Sequence, residues 1–157
     1  MALKSGQLAT LNAAILAETD ATLVQYRTSG QTTKIAEWYN QLTDTDAWMS
    51  SVGARELYEA MDITKFDNLS TAGKRDAWRL MLDFAPADMA RLKQRKAVQD
   101  IWGNTDSVPI LESVRRKATK AEVVLGGNVV TTNTVSALKL NWEGSLSGDD
   151  VASALSV

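Results

Sequence analysis

The sequence contains no cysteine and no histidine. The first absence excludes a disulfide framework and a thiol nucleophile, and the two together remove most zinc sites and imidazole acid–base catalysis. Carboxylates remain to hold a hard cation, but no acidic loop with calcium-binding spacing is present. Long apolar runs are missing as well: no stretch approaches the roughly 18 apolar residues that a membrane span needs. The opening MALKSGQLATLNAAILAETD never sustains an apolar core followed by a cleavage site. These absences predict a soluble chain made in a cytoplasm. The acidic residues are scattered through caps and helix faces, with no pair placed as general acid and base. No enzyme, cofactor or metal is expected from such a set.

What is present is ordinary in amount and uneven in placement. The 157 residues are 45% apolar and 23% charged, a composition typical of a soluble globular protein. That length can bury about two-thirds of the unfolded surface in one domain. The net charge of −2 hides a segregation. Residues 1–73 hold five basic and nine acidic side chains, residues 74–120 eleven and six, and residues 121–157 one and four. An acidic–basic–acidic order concerns partners rather than fold. It fits a nucleic-acid face, or copies of one chain joined head to tail; the sequence pI of about 5.2 weighs against a dedicated nucleic-acid binder.

Helical spacing dominates to about residue 125. Leu8, Leu11 and Ile15 form one stripe. Asp20 caps a second helix, which Ser29-Gly30 stops, and Thr32 or Thr33 caps a third with Ile35, Trp38, Tyr39 and Leu42 inward. LTDTDAWMSSVG reads as a loop, and GARELYEAMD as a further helix. In FDNLSTAGKRDAWRLMLDF, Ser70 is placed as N-cap, with Trp78, Met81, Leu82 and Ala85 inward. Phe66 and Leu69 serve as a hydrophobic staple there. The two prolines, Pro86 and Pro109, fall in first-turn positions. The helix PADMARLKQRKAVQDIWG buries Met89, Leu92, Val98, Ile101 and Trp102 and stops at Gly103. Asp106 or Ser107 caps the next, which carries Arg115–Lys117 in its last turn. Thr119 and Glu122 have capping-box spacing, and Gly126-Gly127 ends that helix.

The period then changes to that of a strand. Leu138, Leu140 and Trp142 alternate with polar residues, and two strands around Asn133 make a hairpin. Ser147 and Asp150 cap a last short helix. The expected fold is therefore mainly α: a compact helical domain over residues 1–126, then a β-hairpin arm and short helix over 127–157 within the same domain.

Gly73-Lys74 resembles part of a phosphate loop, but the upstream glycine is missing and Arg75 stands where Ser or Thr is needed. Trp78 and Trp102 lie on apolar stripes and read as core. Arg91, Lys93, Arg95 and Lys96 read as a solvated helix face. Arg115, Arg116, Lys117 and Lys120 complement a helix dipole, meet a neighbouring subunit or contact nucleic acid. Leu138, Leu140 and Trp142 form an apolar edge of the hairpin, placed to pack on another chain.

FDNLSTAGKRDAW, then a helix ending IWG, then RRKATKAEVVLGG, and last GDDVASAL occur in an order that resembles small helical virion proteins of tailed bacteriophages. The likeness spans roughly residues 55–126 and returns at 144–155. It implies a structural component of the neck, collar, head–tail connector or tail. Such a component acts in the virion as a homo-oligomeric ring, against other phage head–tail or tail proteins, after synthesis in the bacterial host cytoplasm. It transfers no catalytic residue. The alternative is a small helical nucleic-acid-binding or regulatory module using the basic segment 74–120.

Overall fold

The computed structural model describes residues 2–157. Helices hold 57% of the chain and strands 17%, the latter in one four-stranded mixed sheet. The fold is thus mixed α/β, not the mainly α domain that helical spacing led us to expect. The strands are β1 (Leu42–Trp48), β2 (Arg115–Thr119), β3 (Gly127–Thr132) and β4 (Val135–Leu140), in the order β2-β1-β4-β3. β1 and β4 run parallel, with Ala47 opposite Leu138. β2 is antiparallel to β1, because Lys120 N donates to Gln41 O at one end and Met49 N donates to Val114 O at the other.

Two of these strands replace other expectations, for reasons that lie in pairing. LTDTDAW, read as a loop, is β1, and RRKAT, read partly as a helix end, is β2. Thr and Asp suit a half-exposed strand when its neighbour supplies complementary charge. Here Arg115 Nη1 donates to the Asp46 carboxylate at 3.0 Å, a charge pair, and Lys117 Nζ donates to the backbone carbonyl of Asp44 at 2.9 Å. The hairpin around Asn133 forms where its pattern lies, closed by Asn133-Thr134 with Asn133 at φ 57°. It is not a projecting arm. β4 is an interior strand, Val135 and Ala137 belong to the core, and Trp142 is buried.

Contacts divide the chain into two compact units, neither continuous in sequence. The first comprises residues up to Thr45, Lys117–Gly127 and Leu140–Val157. It contains α1 (Ser5–Ala17), α2 (Ala21–Thr28), α3 (Thr32–Tyr39), α8 (Lys120–Leu125) and α9 (Gly148–Leu155). Leu11, Ile15, Leu23, Ile35, Trp142 and Val151 are among its core residues. Asp20 caps α2 as its position predicts, and capping boxes start α8 at Thr119 and α9 at Ser147. Asn40 ties residue 146 to the end of α3 by a reciprocal pair: Nδ2 donates to Leu146 O at 2.9 Å, and Leu146 N to Oδ1 at 2.8 Å.

The second unit comprises Asp46–Arg116 and Asn128–Lys139. Its helices are α4 (Ala54–Ala60), α5 (Ile63–Asp67), α6 (Ala72–Asp83) and α7 (Leu92–Ser113). Trp78 is fully buried, edge-on to Trp102 at 5.3 Å between ring centres, and its Nε1 meets Met61 Sδ. Thr71, not Ser70, caps α6, accepting from Lys74 N. The helix placed from Pro86 begins only at Leu92, because residues 87 and 89 pair through their backbones with Val52 and Met49. Gly103, at φ 80°, interrupts α7 at the glycine expected to stop it.

Candidate functional site

Arg115, Arg116 and Lys117 lie on β2, and Lys120 opens α8. Two of the four have fold-internal partners already described. Lys120 adds a third case: its Nζ lies 3.5 Å from the ring centre of Trp38 and donates to Gln41 Oε1 at 2.9 Å. Leu138 and Leu140 are half-buried and Trp142 is buried, so these residues do not make an exposed apolar edge.

The other basic cluster is split by the fold. Arg91, Lys93 and Lys96 are exposed, whereas Arg95 is buried. Arg95 Nε donates to Thr132 Oγ1 at 2.9 Å and Nη1 to Met89 O at 2.6 Å, and its guanidinium sits 4.8 Å from the centre of the Trp48 ring. Burial lowers its pKa below the usual arginine value, with Asp88 opposing the shift. The solvated-face reading fails at this residue. A signal was available: Arg95, Val98 and Trp102 fall at i, i+3 and i+7, one helical stripe.

Gly73-Lys74 opens α6 beside a cleft of about 210 Å³ whose lining mixes polar Lys65, Asn68, Lys74 and Asp106 with apolar Leu69 and Ile101. Lys65 is committed to Asp106 at 2.8 Å. Among the described residues, no group of three or more Asp or Glu side chains converges to hold a metal. None of the described helices is long and apolar enough to cross a membrane.

The larger open surface is apolar. Phe84 is 81% exposed and Leu80 54%. They border a groove of about 540 Å³ between α6 and α7, whose walls include Ala77, Met81, Ala97 and Ile101, with Lys93 at hand. Sequence reading assigned α6 a single inward stripe. Leu80 and Phe84, four apart, form a second stripe beside it, and that spacing was the available clue. α6 thus buries the Trp78 stripe in its own unit and leaves Leu80 and Phe84 exposed. No family model matches this chain, and neither a curated protein nor a solved structure matches it.

Proposed function

We propose that this chain is a structural component of a tailed-bacteriophage particle, working by protein–protein contact rather than by catalysis. In this reading it sits at the head–tail junction or in the tail, in a ring with copies of itself and against other virion proteins. The order of motifs from FDNLSTAGKRDAW to GDDVASAL supports the particle. The observation that carries contact as its mode of action is the groove bordered by Leu80 and Phe84, since side chains that large are seldom left together in water without a partner. The nucleic-acid reading loses support from the basic segment itself, where Arg95, Arg115, Lys117 and Lys120 are engaged within the fold.

The test is a double variant, Leu80→Asp with Phe84→Asp, in a phage that carries the gene. Both positions are exposed, so the melting midpoint of the isolated chain should hold within a few degrees, while incorporation measured by mass spectrometry of purified particles should collapse. Normal incorporation would remove the groove from the account. Absence of the wild-type chain from particles would end the virion reading altogether. Binding to DNA that weakens steeply with salt would favour the nucleic-acid module instead.

A further inference from the structure

β3 is an outer strand of the sheet, paired on one side only, with β4. The two-residue turn Asn133-Thr134 sets the hairpin register: residues 132 and 135 exchange backbone bonds, as do 130 with 137 and 128 with 139. The backbone N–H and C=O groups of Val129 and Thr131 therefore face outward. The contact of Thr131 Oγ1 with Ser136 Oγ at 2.6 Å fits this register, because 131 and 136 then form a non-hydrogen-bonded pair. No backbone–backbone hydrogen bond outside the sheet reaches residues 128–132 among the described residues; Trp48 Nε1 donates to Val130 O at 3.2 Å, and Val129 is 69% exposed.

Natural sheets protect open edges with charge, proline or a bulge. The opposite edge, β2, carries Arg115, Arg116 and Lys117. NVVTTN, residues 128–133, contains no charged residue and no proline. One edge is thus protected and the other is open, with residues of high strand propensity along it.

We propose that β3 pairs antiparallel with β3 of a second copy about a two-fold axis at Val130, joining the two sheets into one. Outward amide and carbonyl groups require an extended backbone, and the chain's own other edge is a poor candidate. β2 of a second copy would bring three cations toward a strand already flanked by Lys139. Self-pairing adds a strand that itself carries no charged residue. Val129 then lies opposite Thr131 of the second copy, Thr131 opposite Val129, and the two Val130 residues face each other. Each Val129–Thr131 pair exchanges two hydrogen bonds. A shallow cleft of about 290 Å³ adjoins this strand, lined by Ala90, Leu92, Arg95, Val130, Thr131 and Lys139, and the added strand covers part of it. The pairing does not depend on the virion reading.

Three measurements on the full chain decide it. Light scattering after size exclusion should give twice the chain mass, falling to one chain mass on dilution. Val129→Pro removes an outward N–H, a change that an edge strand accommodates. It should keep the helical circular dichroism and melting transition but run as a monomer, a weakening of at least about tenfold in Kd. Val130→Cys supplies a single thiol in a chain without cysteine, opposite its copy at roughly the 4.5 Å Cα separation of a non-hydrogen-bonded pair. That spacing lies within disulfide reach, so mild oxidation should yield a covalent dimer; this reads the register even if the proline variant fails to fold. A wild-type monomer at the highest soluble concentration would overturn the pairing. So would a dimer untouched by Val129→Pro, or the absence of a Val130→Cys cross-link.

Discussion

Arg95 holds a guanidinium inside its unit against a hydroxyl, a carbonyl and an aromatic face. Hydrogen bonds from a charged donor and a cation–π contact retain it there, and truncation leaves Met89 O and Thr132 Oγ1 short of a partner. Arg95→Ala should therefore lower stability by about 3 kcal/mol, measured by urea denaturation. Arg95→Lys should recover only part, because an ammonium cannot present the same planar fork of donors. Tyr39 offers a pH-dependent counterpart. Burial, aided by Glu18 and opposed by Arg27, pushes its phenol up to about 12 from the usual value near 10. The folded state then keeps a proton that the unfolded chain has lost, so stability is complete below pH 10 and falls as pH rises toward 12. A shift of that size corresponds to roughly 2–3 kcal/mol. Comparing alkaline melting of wild type and Tyr39→Phe should show the wild type losing more across that window; equal losses would contradict it.

At the scale of elements, some helix ends were legible and others were not. Thr71 rather than Ser70 caps α6, Gln31 rather than Thr32 or Thr33 precedes α3, and Asp106 and Ser107 lie inside α7. Asp20, Thr119 with Glu122, Ser147 with Asp150, and the glycines at 30 and 103 all mark boundaries through local bonding that needs no distant partner. β1 and β2 were not legible. LTDTDAW has turn-forming residues and RRKAT has the charge of a helix end, and only their mutual pairing makes strands of them. Arg95 and the Leu80–Phe84 stripe did leave a trace in helical spacing, but spacing alone does not say which of two adjacent helix faces a core will cover. One contact between elements gives a sharp test. A Cβ on Gly148, the first residue of α9, would lie 2.8 Å from Thr33 Oγ1 and 3.3 Å from Thr33 N on α3. The β-branched side chain and the backbone have little room to yield. Gly148→Ala should thus cost about 1–3 kcal/mol despite raising helix propensity. A stabilised variant would show that α9 shifts freely on α3.

On the scale of the whole molecule, two cores are assembled from discontinuous segments. Deleting residues 129–143 removes β4 and most of β3, takes Val135 and Ala137 from one core, and takes Trp142 from the other. The shortened chain should lose its cooperative thermal transition, and retention of a sharp one would mean the sheet is dispensable. The packing of α3 and α1 against α9 has a further consequence, in the time of synthesis. α3 ends at Tyr39 and α9 begins at Gly148, about a hundred residues later. At a translation rate of about 5–20 residues per second, α9 is made on the order of 5–20 s after α3. Throughout that interval Leu11, Ile15 and Ile35 lack their final cover, whatever the stability of the finished protein. Slower elongation therefore lengthens the exposure of the nascent N-terminal helices, and the yield of folded chain becomes sensitive to ribosome speed and to whatever holds those helices apart until α9 arrives.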